Sequence, residues 1–336
     1  MATQSAAAPL LSRCAYYLSS SLPASAVRRG RHWQYDLDQI LSPCFIRRSL
    51  SPNTPRHLHN SSRGGAVTSA APQATATQPL TPAQMVMCLD ELRAKFETAE
   101  VIYRRENRIV IRWRGSCVTG PIIIKMWSRP DLKGTLRRIL RIAPGEQELR
   151  IIVRLHDVNM AVPQPLGFCR VVPSVAGYTD ALFLGDLGEC ESGTSYLKRL
   201  IKAGQEQQAL QFENVMIEMT KQILDAGMID IDHGLVNMVV QPTGRPVRLD
   251  FELARRVGWP QFFTGMYGQM LGHLILLHAF AVQPDTERPT RFAARLCESL
   301  HPPQRVLAQA GIYIRKWVKV QLETTGIDTR LTLPWD

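Results

Sequence analysis

The chain has 336 residues, of which 45% are apolar and 21% charged. That allows one large or two small domains with a sizeable core, and it excludes an acidic disordered protein and a miniprotein without crosslinks. The formal net charge of +11 points to an acidic partner such as nucleic acid, an anionic membrane or a phosphorylated substrate.

The charge is uneven along the chain. Residues 1–84 hold eight arginines, no lysine and two acids, Asp36 and Asp38. They are rich in Ser, Ala and Pro and end in GGAVTSAAPQATATQPLTPAQ. With little apolar periodicity, such a segment cannot offset the entropy cost of ordering, so it reads as a disordered extension with a short helix near 35–40. Two readings of it stay open: an organellar transit peptide, or an extension ahead of a folded protein that starts near Met85 or Met87. Arg13 interrupts the one apolar stretch near the start, which argues against a secretory signal. A cytoplasmic location is the expectation, with an organelle as the alternative.

Thr81-Pro82 opens an amphipathic helix over 85–97. Strand patterns follow at 101–104, 109–114 and 121–127, with turns at Asn107 and 115–120, which makes a meander. Residues 132–142 read as a basic helix. Residues 146–158 read as a second helix with Leu149, Ile152, Val153 and Leu155 on its apolar face. Strands are expected at 166–172 and 181–184, then helices at 196–203 and 209–226. Two short strands at 237–241 and 245–251 flank a Thr243-Gly244 turn, and the remainder reads as helical. This is an α+β pattern with a β-rich N-lobe (85–187), an α-helical C-lobe (188–336) and a cleft between them. No repeat is visible. No run reaches the length of a bilayer span; the nearest, 266–282, contains Gln269, His273 and His278 and reads as a buried helix.

Seven cysteines, scattered from Cys14 to Cys297 with no CxxC pair, argue against a disulfide framework or zinc knuckle and read mostly as buried thiols in a reducing compartment. Tyr103, Trp113, Trp127 and Trp259 read as packing residues. His273 and His278 are five apart, off a shared helical face, which argues against a metal pair.

The informative stretch is GMIDIDHGLVNMVVQPTGRPVRLDFELARR, residues 227–256. Asp232 and Asn237 lie five apart where a loop enters a strand, and a hairpin returns to Asp250 in the tripeptide Asp250-Phe251-Glu252. Phosphoryl transfer needs this grouping. One Asp orients the attacking hydroxyl and accepts its proton, while an Asn and a second Asp hold Mg²⁺ through hard oxygen donors.

On these residues the chain resembles the protein-kinase-like superfamily over about 98–300. The resemblance implies Asp232 as catalytic base and Asn237 and Asp250 as metal ligands. It extends upstream. Ile122-Ile123-Ile124-Lys125 looks like the third-strand lysine motif, so Lys125 would meet the ATP phosphates. Glu148 would be its ion-pair partner, with Glu146 as the competing choice. LFLGDL, residues 182–187, resembles the fifth strand and hinge, where Asp186 and Leu187 would face the adenine. ATP and Mg²⁺ are the implied cofactors.

There is no Ala-Pro-Glu motif after Asp250 and no long activation segment, and Gly234 stands where typical protein kinases carry a lysine. In these respects, and in YRRENRIVIRW and EQELRIIVRLHDVNMAVPQPLGF, the chain is similar to bacterial lipopolysaccharide core kinases, which phosphorylate heptose or Kdo. The implied acceptor is an acidic sugar or glycolipid, with peripheral membrane contact and without dedicated nucleic-acid binding. Arg129, Lys133, Arg137 and Arg138 are acceptor-contact candidates or a solvated helix face.

Three features depart from the superfamily pattern. The first turn, Arg105-Glu106-Asn107, has no glycine; Asp230 stands where many kinases place a histidine; and Glu252 replaces the glycine of DFG. Glu252 is expected to face a C-lobe arginine, with a metal-ligand role as the alternative. His233 either touches substrate or structures the loop. A pseudokinase scaffold and a reduced protein Ser/Thr kinase remain as alternative functions.

Overall fold

The computed structural model describes residues 26–29, 32–35, 78–105, 107–128, 143–325 and 331–335. Ahead of residue 78 it describes one antiparallel hairpin, β1 (Ala26–Arg29) with β2 (His32–Tyr35), in which Ala26 pairs with Tyr35. Tyr35 thus ends a strand rather than starting a helix. The rest of that expected helix lies outside the described residues, as does the remainder of the leader to residue 77.

From Thr81 onward the local signals are used as written. Thr81 caps α1 (Pro82–Ala94) through a reciprocal capping box with Gln84, so the helix starts three residues before the expected 85. Then come β3 (Glu100–Arg105), β4 (Arg108–Trp113) and β5 (Ile122–Trp127) as a meander. After α2 (Pro144–Asp157), strands β6 (Pro165–Val175) and β7 (Tyr178–Gly185) complete a five-stranded antiparallel sheet of order β3-β4-β5-β7-β6. The expected basic helix at 132–142 lies outside the described residues, together with Arg129, Lys133, Arg137 and Arg138.

β5 lies in the middle of this sheet. Its period-two alternation sends Ile122, Ile124 and Met126 into a core with Met85, Cys88, Leu89 and Leu92 of α1. Ile123, Lys125 and Trp127 therefore point to the opposite face, toward α2. Lys125 pairs with Val110 on one side and Leu182 on the other, so its backbone position is fixed from both neighbours. On α2, Ile151, Ile152 and Leu155 are buried, but so are Glu146 and Glu148, while Leu149 and Val153 are only partly covered. Two acids on a buried face need partners.

The C-lobe is helical: α3 (Gly193–Lys202), α4 (Glu206–Asp225), α5 (Thr264–Val282), α6 (Glu287–Leu300) and α7 (Gln304–Thr325). Among the described residues, α5 alone is long and apolar enough to cross a membrane by length and composition, and 67% of its most apolar stretch is buried within the protein. Two small sheets sit between the helices. β8 (Glu191–Ser192) pairs with β10 (Met238–Val240), which pairs with β11 (Pro246–Arg248). β9 (Met228–Asp230) pairs with β12 (Ala254–Arg256), setting Asp230 opposite Ala254. These ladders pin both ends of the stretch that carries Asp232, Asn237 and Asp250.

Candidate active site

Lys125 stands on the cleft face of β5, only 6% exposed. Its Nζ donates to Glu148 Oε2 at 2.8 Å and Oε1 at 3.0 Å, and to Asp250 Oδ1 at 2.9 Å. Glu252 Oε1 lies 3.5 Å away. Burial pushes the lysine pKa down, but Glu148, Asp250 and Glu252 outweigh it and hold Lys125 above its ordinary value. For Asp250, burial works against ionisation, and Lys125 and Arg108 still hold it below the ordinary carboxylate range. Glu148 is raised, because burial there is complete. Its Oε1 also accepts from the Phe251 backbone at 3.3 Å, which ties α2 to the Asp250 segment. Glu146, the competing candidate, bonds Arg150 on its own helix at 2.6 Å.

Glu252 corrects an expectation. It faces the N-lobe, not a C-lobe arginine: Arg108 of β4 reaches its Oε1 at 2.8 Å and Trp127 Nε1 donates to the same oxygen at 2.7 Å. Arg108 also lies 3.4 Å from Asp250 Oδ2. Asp250 itself sits at φ 54°, in the left-handed region that Asp tolerates better than bulkier residues.

The loop of Asp232 is built around Arg248, a fully buried residue of β11. Its guanidinium donates to Asp230 Oδ2, to His233 Nδ1 at 3.2 Å, to the Asn237 carbonyl at 2.9 Å and to the Asp232 carbonyl at 3.2 Å. Because Arg248 donates to Nδ1, the His233 proton is on Nε2, which meets Thr220 Oγ1 at 2.9 Å. Burial, with Arg248 beside it, holds His233 well below its ordinary pKa and neutral. Asp230 is raised by burial, against the pull of Arg248. Its Oδ1 accepts from the Asp232 backbone at 3.2 Å. Of the two readings for His233, the structural one is therefore what its contacts show.

Asp232 presents a half-covered carboxylate. Asn237 Nδ2 donates to its Oδ2 and to its backbone carbonyl, each at 2.9 Å. Its Oδ1 lies 3.3 Å from Nε2 of His273. Nδ1 of His273 meets the Tyr313 hydroxyl at 3.0 Å. Nε2 finds no hydrogen-bond partner of good geometry, so its approach to Asp232 is a close polar contact. Burial raises the Asp232 pKa, but the nearby His273 ring and the Asn237 hydrogen bond win and hold it below the ordinary value.

Sequence reasoning left His273 outside the site, since its only signal was a polar residue in an apolar helix. The contact depends on tight helix packing. A Cβ on Gly268 would stand 2.7 Å from the Val306 carbonyl, and one on Gly272 3.0 Å from that of Ala310, so α7 approaches α5 closely enough to deliver Tyr313. Gly234 has a similar reason: a Cβ there would meet Leu277 Cδ1 of α5 at 2.4 Å.

The donor set suits a hard divalent cation. Carboxylate oxygens of Glu148, Asp250 and Glu252 lie within 4.8 Å of one another, but the Lys125 ammonium already bonds or pairs with all three. That leaves the second oxygen of Asp250, Oδ2, weakly engaged by Arg108, and Asn237, whose NH₂ is spent on Asp232 so that Oδ1 stays an open acceptor. The Leu249 backbone donates to the Asn237 carbonyl at 2.8 Å, which sets Asn237 beside the residue that precedes Asp250. Asp186 and Leu187 follow β7. The Asp186 side chain pairs with Arg112 at 3.0 Å and accepts from the Gly188 backbone at 3.1 Å; the Leu187 carbonyl has long contacts to Gln241 at 3.4 Å and Cys190 at 3.6 Å.

Other expectations change. Trp113 and Trp127 are buried, but Trp259 is 67% exposed and is no packing residue. Of the five described cysteines, all free thiols, only Cys88 and Cys169 are buried. His278 is a core residue: its Nε2 meets Glu213 at 2.9 Å and its ring stacks on Phe292.

No family model matches the chain. No curated protein matches it either. Among solved structures, WaaP in complex with acyl carrier protein aligns at TM-score 0.49 and 16% identity, over 71% of this chain and 98% of that one. ROP2 of Toxoplasma gondii, described as a virulence factor with a protein-kinase fold and no enzymatic activity, aligns at TM-score 0.45 and 12% identity, over 74% and 94%. A rhoptry antigen kinase domain, also from Toxoplasma gondii, aligns at TM-score 0.42 and 9% identity, over 67% and 82%. The sheet order, the buried Lys125–Glu148 pair beneath it and the helical lobe give this chain a two-lobed, protein-kinase-like fold.

Proposed function

We propose that the protein is an ATP- and Mg²⁺-dependent kinase that phosphorylates a hydroxyl of an acidic sugar, as in lipopolysaccharide core or a similar glycolipid. The observation that carries this reading is the convergence of Lys125, Glu148 and Asp250 in one buried ion cluster, with Asp250 directly after Leu249, whose backbone bonds Asn237 of the Asp232–Asn237 pair. Lys125, positioned by Glu148, would face the ATP phosphates, with the Asp186–Leu187 segment beside the adenine. Asp250 and Asn237 would hold Mg²⁺, which when bound neutralises phosphate charge. Asp232 orients the acceptor hydroxyl and takes its proton on the carboxylate. Asn237 and His273 keep that carboxylate in one rotamer. A residual basic charge on residues 85–336, 32 basic against 27 acidic side chains, suits an acidic acceptor.

Two observations favour a second reading, a nucleotide-free scaffold. Arg108 and Lys125 already neutralise Asp250, and no glycine stands in the first turn. Incubating the full chain with labelled ATP, Mg²⁺ and a panel of lipopolysaccharide cores, Kdo sugars and generic protein acceptors separates the two. Transfer to a glycan that is lost in Asp232→Ala and Asp250→Ala supports the kinase. Transfer that survives both substitutions removes the assigned site, and absence of nucleotide binding supports the scaffold.

A further inference from the structure

Between β12 and α5 the chain turns outward. Trp259 is 67% exposed and Phe262 76%, and Phe263 and Leu253 are exposed beside them in sequence. Exposed aromatics of this size mark contact surfaces when they cluster. Their display is rigid. The backbones of Val257 and Gly258 both donate to the Gly227 carbonyl at 2.9 Å, and a Cβ on Gly227 would stand 3.0 Å from the Gly258 carbonyl oxygen. Trp259 N–H donates to the Val257 carbonyl, Phe262 N–H to Trp259 and Phe263 N–H to Pro260, around a buried Pro260. A turn bonded this way holds its side chains out without further ordering cost.

The flanks are basic. Arg256 is exposed on β12, and Arg154 reaches the same corner by donating to the Ala226 carbonyl, next to Gly227. Asp225 is an exposed acid near that corner, while Glu252, the acid nearest in sequence, is turned inward to Arg108 and Trp127. Indole and phenyl groups on a rigid turn with arginines behind them match the interface of an anionic bilayer: rings among the upper acyl chains, guanidinium groups on the phosphates. Single prongs also suit a fluid partner that needs no complementary pocket.

We infer that the Trp259–Phe263 turn is a docking point for an anionic phospholipid surface. The turn leads directly into α5. Nine residues separate Thr264 from His273, about 14 Å of helix, and His273 touches Asp232. A turn seated in the interface therefore puts Asp232 within a short reach of headgroup-borne sugars. Only this last step rests on the glycolipid-acceptor reading; the docking itself does not.

Vesicle co-sedimentation of the full chain is the test, with phosphatidylcholine vesicles against phosphatidylcholine–phosphatidylglycerol vesicles. The wild type is expected to sediment with the anionic vesicles. W259S/F262S is expected to lose that binding by about tenfold or more, and R154Q/R256Q to lose the preference for anionic lipid. Brominated lipids should quench wild-type tryptophan fluorescence and quench W259F less, a readout that does not need the double variant to fold. Wild type that stays in the supernatant, or W259S/F262S that sediments equally, overturns the inference. So does a wild-type dimer that W259S/F262S converts to monomer, since the turn would then be a self-interface. Vesicle binding without phosphate transfer would sink the kinase reading and leave this one standing; transfer without vesicle binding would do the reverse.

Discussion

His273 Nε2 lies 3.3 Å from Oδ1 of Asp232, and Asn237 holds the other carboxylate oxygen at 2.9 Å. Both oxygens of the proposed base are thus steered from the C-lobe, one by a loop neighbour and one by a helix more than thirty residues on. The arrangement makes His273 a positioning residue. His273→Ala should lower kcat about tenfold with KM for ATP nearly unchanged, as expected for one close polar contact on a charged group. His273→Gln should recover part of the loss, and Tyr313→Phe should cost less than His273→Ala. Steady-state kinetics decides it; an unchanged kcat in His273→Ala removes the role.

Lys125 and Glu148 predict a larger effect of a different kind. Lys125→Met leaves Glu148 and Asp250 without their shared cation. Transfer should fall by about a thousandfold, within the range attributed to electrostatic contacts in such sites. Glu148→Gln keeps the shape but loosens Lys125, and it should cost less. Labelled-phosphate transfer rates, with folding checked by circular dichroism, measure both.

Arg108 offers a test of the site's unusual first turn. Its guanidinium spans Asp250 at 3.4 Å and Glu252 at 2.8 Å. If a nucleotide binds, this arginine is the group placed to move from carboxylate to phosphate and do part of the work that a glycine loop does elsewhere. Arg108→Gln should raise KM for ATP about tenfold, roughly the value of one charge-assisted bond. A rise in activity would show instead that Arg108 blocks the site.

Arg248 should dominate folding. It is fully buried and serves Asp230, Asp232, His233 and Asn237 together. Arg248→Met strands Asp230 as an unpaired buried acid, a cost of about 3–5 kcal/mol. The double variant Arg248→Met/Asp230→Asn should regain part of that. Urea unfolding gives both numbers, and additive losses in the double variant would refute the coupling.

Acid sensitivity should begin well above the carboxylate range. His233 and His278 are both held below the ordinary histidine value of 6.5, mainly by burial. The unfolded chain then binds protons that the native state does not. The stability these two contribute is complete above pH 6.5 and is lost as pH falls below it, by up to about 1.4 kcal/mol per pH unit for each. Glu213, held down to about 2 by His278 and Arg288 against its burial, adds a separate loss between its ordinary 4.5 and that value. Urea midpoints from pH 7 to 5 should fall, and His233→Gln should flatten the curve relative to its own pH 7 value.

How much of this was legible in the sequence varies by scale. The meander, α2 and α4 follow from apolar periodicity, and the Asp232, Asn237 and Asp250 spacing marks the loop. β9 and β12 are three residues each, too short for any alternation to register. Arg248 looked like an ordinary strand residue, because what distinguishes it is a set of partners brought together by folding. Trp259 misled for the opposite reason: a large aromatic is a good prior for the core, and only the outward turn at Gly258 exposes it.

The close seat of α7 on Gly268 and Gly272 has a practical corollary. Every motif residue from Lys125 to Asp250 lies ahead of Leu300, so a fragment cut there would pass inspection by motif. It would lack Tyr313, the hydroxyl behind His273, and would bare the small-residue face of α5. Trimming the C-terminus is therefore a change to the candidate site made at a distance, and a kinetic defect in such a fragment would say nothing about the motif itself.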